Sequence, residues 1–194
     1  MKKLKYILLI FYVFHFSNLY SEDIKDFQIE GISIGESALK YFDKNEIESI
    51  KSRGFIYSKK DFYSVTFYAD NSNHRFEIYD AVQLHLKDTD KNYKIYSLGG
   101  RKYFENNFDG CVETLNTILP QIEKTFKGSK TIDGGTETWK NTEGHYVKTK
   151  SYWISLPKGA EVALECYDQP KEMNIIDGLN ISLDSKEFAQ WLRY

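Results

Sequence analysis

The residues with the clearest catalytic spacing lie near the start of the chain. Gly31-Ile32-Ser33-Ile34-Gly35 matches G-x-S-x-G, the pattern that holds the nucleophilic serine of α/β-hydrolases between a strand and a helix. Ser33 is thus a candidate nucleophile, with His145 as its candidate base. The motif precedes every strand that could present it, and a helix cap explains the same serine. We prefer the structural interpretation and keep a serine hydrolase as the alternative.

A second segment copies the ligand spacing of a calcium loop. Asp88-Thr89-Asp90-Lys91-Asn92 supplies the first three oxygen ligands. Tyr93 stands where such a loop needs glycine, and Gly99 stands where it needs a bidentate glutamate. The segment therefore predicts a polar hairpin turn, and we expect neither a metal site nor a cofactor.

A third segment could bind an anion. In Gly99-Gly100-Arg101-Lys102, backbone N–H groups and two cations could surround a negative charge. The alternative is the end of a strand that turns into a loop. Arg101 and Lys102 remain candidate ligand residues.

The composition limits the class of protein. The chain has 194 residues with 26 basic and 28 acidic side chains, which argues against a general nucleic-acid-binding surface. Its apolar content of 41% is sufficient for a folded core. One domain is the simplest expectation for this length.

The N-terminal segment has the pattern of a secretory signal. Three lysines in residues 1–5 precede an apolar run over residues 6–16, which is shorter than a membrane span. Cleavage after Ser21 would leave residues 22–194 as a single domain with a net charge of −5. We expect a periplasmic or secreted protein. An uncleaved N-terminal anchor, which would make an envelope protein, is the alternative.

The two cysteines are expected to form a disulfide bond. Cys111 and Cys166 are the only cysteines of the chain, and an even pair outside the cytoplasm favours a disulfide. Two buried free thiols are the alternative. The pair lacks the close spacing of a redox motif or a zinc site.

The order of the elements predicts an α+β fold with a mainly antiparallel sheet. One long helix over residues 109–126, kinked or divided at Pro120, covers one face and places Cys111 on its buried stripe. Short helices start near Ser33 and Asp43, and a further helix ends the chain. Strands are predicted at residues 26–30, 55–58, 62–69, 75–87, 93–98, 150–156, 161–167 and 179–183, with residues 128–145 assigned to none.

The aromatic residues suggest a binding surface. The number of aromatic side chains favours a stacking patch on the sheet face opposite the helix. The alternative is that the tyrosines only cover strand faces and sheet edges. The candidate residues of this ligand or partner surface are Tyr63, Tyr68, Tyr79 and Tyr96, together with Arg101 and Lys102.

The chain resembles small exported bacterial α+β proteins of uncharacterised function. The resemblance rests on Phe27-x-Ile29-x-Gly31-x-Ser33-x-Gly35, on Cys111 before Trp139, on Cys166 in a late strand, and on Lys186-Glu187-Phe188 through Trp191-Leu192. It implies an exported compartment and a disulfide, and it supplies no catalytic residues.

These observations together favour a non-enzymatic module that binds an unknown protein or small ligand through its sheet. No catalytic residue is assigned, and the enzyme class stays open with Ser33 as the alternative. We expect no nucleic-acid partner, and a membrane contact only through an uncleaved N-terminal segment.

Overall fold

A seven-stranded antiparallel sheet dominates the fold. The computed structural model describes residues 23–51, 61–70, 74–141, 143–173 and 176–193. The strands of the sheet are β3 (Phe62–Tyr68), β4 (Ala81–Lys87), β5 (Ile95–Tyr103), β6 (Lys130–Lys140), β7 (Tyr146–Ser155), β8 (Glu161–Asp168) and β9 (Gly178–Asp184). They lie in the order β3-β4-β5-β9-β8-β7-β6. The expected α+β class with a large antiparallel sheet is therefore present.

Three α-helices and a small hairpin complete the described fold. The hairpin joins β1 (Gln28–Ile29) to β2 (Ile32–Ser33). The helices are α1 (Lys44–Lys51), α2 (Phe108–Thr125) and α3 (Lys186–Arg193), and 3-10 turns lie at Ile24–Asp26, Ala38–Lys40 and Lys171–Met173. The helix α2 has 18 residues and packs against β8 and β9.

The main core lies on one side of the sheet, here called the core face. Leu84 and Leu98 are directly paired in the sheet and fully buried. Leu115 and Ile122 of α2 pack into the same core cluster. Cys111 of α2 is joined to Cys166 of β8 by a disulfide bond, with 6.0 Å between their Cα atoms. The expected cysteine pairing is present because the helix stripe and the inward side of β8 meet at this point.

The N-terminal hairpin is tied to the sheet by a carboxylate. Glu30 accepts hydrogen bonds from the backbone N–H groups of Glu77, Ile78 and Tyr79, at 2.7 to 2.9 Å. It stands in the hairpin turn at φ +54°, followed by Gly31 at φ +75°. These bonds hold the irregular segment before β4 in place.

The structure corrects two predicted helix and strand boundaries. Ser33 lies in β2 rather than at a helix start, and Ser37 caps the following 3-10 turn instead. The predicted strand 75–87 begins only at Ala81, because Glu30 holds the preceding backbone. The helix α2 continues undivided through Pro120.

The sequence prediction also assigned no strand to residues 128–145, where the structure has β6. The proposed signal segment 1–21 and the predicted strand 55–58 lie outside the described residues.

Candidate functional site

The tyrosines predicted to share one surface divide between the two faces of the sheet. Tyr63 is paired with a core leucine and is buried at 9% exposure. The Tyr79 ring packs against Gly100 from the core side, where a Cβ atom would lie 2.7 Å from the ring. Tyr68 and Tyr96 lie on the opposite side, here called the open face. The expected four-tyrosine patch is therefore not a single surface.

The two candidate cations also point in opposite directions. Arg101 pairs with Ala81 on the open face, whereas Lys102 is on the core side and donates to Oδ1 of Asp80 at 2.9 Å. Residues 99–102 lie inside β5, which is flanked by β4 and β9. Their backbone N–H groups are used by the sheet, so they do not form an anion-binding loop.

Four polar side chains cross the open face in one register row. The row, here called the polar row, consists of Arg101, Asn180, Glu165 and Ser151 on β5, β9, β8 and β7. Adjacent strands are about 4.8 Å apart, so the row spans about 14 Å. Tyr167 donates its hydroxyl to Glu165 at 2.7 Å.

Glu165 is the most perturbed member of the polar row. Burial raises the pKa of its carboxyl above the ordinary value, while the Tyr167 hydroxyl and the Asn180 side chain oppose the rise. Burial also raises the pKa of Tyr167, and the neighbouring Glu165 charge adds to this effect. The row is thus a partly desolvated polar centre in the middle of the open face.

An exposed apolar margin lies beside the polar row. Trp153 is 41% exposed and pairs in register with Ile132, which is 49% exposed. Trp139 lies further along β6 and is 44% exposed. The Trp153 ring lies across β6 at Gly134, where any larger residue would meet it. Exposed large apolar side chains gathered on one face are typical of binding surfaces.

A buried polar cluster lies at the other end of the open face. His85 Nδ1 is 3.0 Å from Oγ of Ser97, and Ser97 pairs in register with Asp184. Burial lowers the pKa of His85 to about 4. Burial also raises the pKa of Asp184 to about 6, with the Ser97 and Ser182 hydroxyls opposing the rise. Oδ1 of Asp184 is buried without a hydrogen-bond partner.

This cluster contains a serine, a histidine and an aspartate, but its geometry differs from a catalytic triad. In a triad the histidine lies between the serine and the carboxylate. Here Ser97 lies between His85 and Asp184, and it is only 1% exposed. No substrate carbonyl could reach this hydroxyl without movement of the sheet.

The helix α3 covers the buried polar cluster. The Phe188 ring lies 4.5 Å from the His85 ring and 5.2 Å from the Phe62 ring, measured between centroids. Trp191 lies 5.0 Å from Phe62. Of the helices in the described part of the chain, α3 alone packs on the open face. The polar row and its apolar margin lie away from it.

A small cleft borders α3 at the outer end of this aromatic group. Its volume is about 230 Å³, and its lining is Asp61, Phe62, Lys87, Thr89, Glu187 and Trp191. Lys87 and Glu187 form an ion pair with each other. Because its cation and one of its anions are already paired, the cleft is a weaker candidate than the polar row.

The residues of the hydrolase alternative are not brought together. Ser33 is 7% exposed in β2, and its hairpin packs on β5. His145 lies in the turn between β6 and β7, near the far edge of the sheet. Its backbone N–H donates to Oδ1 of Asn141 there. The strand–turn–helix geometry that exposes a nucleophilic serine is not formed around Ser33.

The calcium-like segment forms the turn between β4 and β5. Asp90 Oδ1 accepts from the N–H of Asn92 at 2.8 Å, and Asp88 pairs with Lys51 at 2.5 Å. Within the described ranges, the acidic, histidine and cysteine side chains form no group that could hold a metal ion. Nor does any helix in the described ranges have the length and apolar character to cross a membrane.

Sequence reasoning missed Glu165, Asn180 and Trp153. The signal was present for two of them, since apolar residues alternate along the predicted strands 161–167 and 179–183, and Glu165 and Asn180 lie between them on the other side. Trp153 stood out less, because β6, the strand that its ring lies across, was not predicted.

Neither a comparison with models of known protein families nor one with curated proteins finds a match to this chain. The site must therefore be interpreted from its own geometry.

Proposed function

We propose that this chain is an exported, non-enzymatic protein that binds a ligand or partner through the open face of its sheet. The observation that carries this proposal is the exposed Trp153 beside the desolvated polar row. A surface of this kind exposes apolar area to water and holds a buried carboxylate, both of which cost stability. A binding role explains why they occur together.

Export is proposed from the N-terminal segment and the disulfide bond. The basic and apolar residues 1–21 serve as a signal that is removed after Ser21, and residues 22–194 form one periplasmic or secreted domain. The bond between Cys111 and Cys166 is favoured in such an oxidising compartment. The mass of the protein isolated from its own cells distinguishes the cleaved form from an anchored form that retains residues 1–21.

Binding without catalysis is proposed from the surroundings of Ser97 and Glu165 on the open face. Ser97 is enclosed between His85 and Asp184, and Glu165 accepts from Tyr167. In the described part of the chain, neither group presents an accessible nucleophile beside a base.

Position-specific crosslinking tests the proposal. A photoreactive amino acid is placed at Ile132, which is 49% exposed beside Trp153 on the open face, so the indole is kept. It is placed separately at Tyr146, which is 66% exposed on the other face of the sheet. After irradiation in the native cells, we expect a crosslinked species from position 132 and not from position 146. Equal products from the two positions, or none from position 132, would refute binding at the open face.

A further inference from the structure

The Trp153 side chain is held as a platform rather than as a loose surface ring. Gly134 lies in a bulge of β6, where the register with β7 shifts between Asp133 and Gly135. A Cβ atom at Gly134 would lie 2.9 Å from Cη2 of the Trp153 ring, so the missing side chain makes room for the indole. The ring therefore lies across the neighbouring strand while 41% of the residue remains exposed.

The polar row lies within reach of this platform. Ser151 precedes Trp153 by two residues on the same side of β7, and Ser151 pairs with Glu165. Trp153 and Glu165 are thus diagonal neighbours on adjacent strands, and the Cα atoms of such a pair are about 7 to 8 Å apart. Because the indole leans over β6, away from Glu165, a ligand stacked on it reaches Glu165 and Asn180 only through its neighbouring units.

The charges of the polar row favour an uncharged ligand. Arg101 supplies only donors, Glu165 supplies only acceptors, and the amide of Asn180 supplies both. An anion would be attracted by Arg101 but repelled by Glu165, and a cation would be attracted by Glu165 but repelled by Arg101. A neutral ligand with several hydroxyl groups can donate to Glu165 and accept from Arg101 at the same time.

The side chains also favour a hydroxylated ring over an extended peptide. A peptide that adds to a sheet uses unpaired backbone groups at an edge strand. The polar row lies on β5, β9, β8 and β7, which are interior strands whose backbone groups bond to their neighbours. The row can therefore offer only side-chain donors and acceptors, together with an aromatic face for stacking.

We infer that the open face binds an uncharged oligosaccharide, with one sugar ring stacked on Trp153 and hydroxyls of the following sugar units bonded to Glu165, Asn180 and Arg101. This inference rests on the proposed binding function and names its ligand class.

Titration with defined oligosaccharides tests the inference. The purified, disulfide-bonded protein is titrated with cellohexaose, maltohexaose and chitohexaose, and with anionic hexagalacturonate, by calorimetry and tryptophan fluorescence. We expect binding of at least one neutral hexasaccharide and none of the anionic one. Trp153→Ala and Asn180→Ala should each weaken that binding by about tenfold, the equivalent of one lost stacking contact or one lost hydrogen bond.

Tyr146→Ala is the matched control, because it also removes an exposed aromatic ring from β7 but on the other face. It should change the affinity by less than about twofold, within the usual effect of a surface substitution. Thermal unfolding of each variant shows that it is folded.

Three results would overturn the inference: no binding of any neutral probe, stronger binding of the anionic probe, or equal losses in Trp153→Ala and Tyr146→Ala. If no saccharide binds but position 132 still crosslinks a partner, the proposed binding function stands and the ligand class is wrong. If no saccharide binds and position 132 crosslinks nothing, both are wrong.

Discussion

The Trp153 indole lies across the backbone of Gly134, and a Cβ atom at Gly134 would be 2.9 Å from Cη2 of the ring. The two residues belong to neighbouring strands, β7 and β6, at a bulge. Glycine in a strand interior usually weakens it and marks a bulge or a close approach. Here the glycine allows an exposed aromatic ring to lie against the sheet, which links a local backbone irregularity to the candidate binding surface.

Gly134→Ala should therefore displace the Trp153 ring. The added methyl overlaps the indole, and relief of such overpacking costs about 1 kcal/mol at a site that can adjust. We expect altered near-ultraviolet circular dichroism and a red-shifted tryptophan emission, with a small loss in the free energy of unfolding. An unchanged spectrum would contradict the close contact.

The same substitution in a Trp153→Ala background provides the control. Without the ring, the added methyl meets mainly the Ser151 hydroxyl, which can rotate away. The double-mutant cycle should show a coupling of about 0.5 kcal/mol or more. Additive losses would mean that Gly134 is required for the bulge itself rather than for the indole.

The disulfide bond should contribute a large part of the stability. The cysteines are 55 residues apart, and closing a loop of that length stabilises a fold by about 4 kcal/mol on the chain-entropy model. Cys111→Ala combined with Cys166→Ala should lower the urea midpoint accordingly. In the unreduced, unfolded wild-type protein, thiol labelling should detect no free cysteine. Labelling of both Cys111 and Cys166 would contradict the disulfide bond.

Glu30→Ala should loosen the attachment of the N-terminal hairpin. The carboxylate accepts three backbone N–H groups of residues 77–79, and losing hydrogen bonds to a charged group costs about 2 kcal/mol. Hydrogen exchange at these three amides should accelerate more than at the core amides of β5. Glu30→Gln keeps an acceptor oxygen and should lose less stability.

An equal acceleration throughout the protein in Glu30→Ala would show that the hairpin and the sheet unfold as one unit. Acceleration confined to residues 77–79 would show a local opening instead. The two patterns thus distinguish unfolding of the whole domain from a local opening. Unchanged exchange at these amides would contradict the role of Glu30.

Strong local patterns made part of this fold predictable. Alternation in β9 and in the β7–β8 hairpin identified both elements, and the inward side of the hairpin included Cys166 opposite a helix stripe with Cys111. A period-2 pattern specifies which side is buried whenever one face contacts a core. The inward side agrees with the observed pairing of the two cysteines, which are both buried.

The missed strand β6 shows where such patterns fail. It is an edge strand, exposed along most of its length, and it contains the Gly134–Gly135 bulge. Without a buried side, its residues show no apolar alternation. Trp153 could not be recognised as a platform because the strand beneath it was not predicted.

The tyrosine patch failed at two positions, for different reasons. Tyr63 and Tyr68 are five residues apart on β3, so the alternation of side chains along a strand already places them on opposite faces. The face of Tyr79 was assigned by extending a strand back to residue 75, but the strand starts at Ala81. The Glu30 carboxylate that interrupts it comes from a segment 47 or more residues away in sequence. A long-range contact of this kind leaves no local signal.

The stability of the buried polar cluster should respond to pH in two opposing ways. His85 has a pKa of about 4 in the folded protein and about 6.5 when unfolded. Between these values the unfolded chain binds the extra proton, so stability falls as the pH is lowered from 6.5 to 4. Asp184 has a pKa of about 6 in the folded protein, against an ordinary value of 3.8. In that interval the folded protein binds the extra proton, so stability falls as the pH is raised.

Replacing either Asp184 or His85 should reveal how the other makes the free energy of unfolding depend on pH. In Asp184→Asn, the free energy of unfolding should rise with pH between 4 and 6.5, relative to wild type, because the His85 contribution is no longer offset. In His85→Gln it should fall over nearly the same interval. Each change should amount to about 3 kcal/mol, since one pKa unit corresponds to about 1.4 kcal/mol. Urea unfolding at a series of pH values measures both.

The comparison between the two variants is what isolates the cluster. Other carboxyl groups also titrate in this range. The raised pKa of Glu165, for example, makes the free energy of unfolding fall with rising pH, as that of Asp184 does. These contributions are common to wild type and both variants, so they cancel in the comparison. The difference between Asp184→Asn and His85→Gln should therefore grow steadily from pH 4 to 6. Parallel curves for the two variants would mean that α3 does not keep His85 and Asp184 from water.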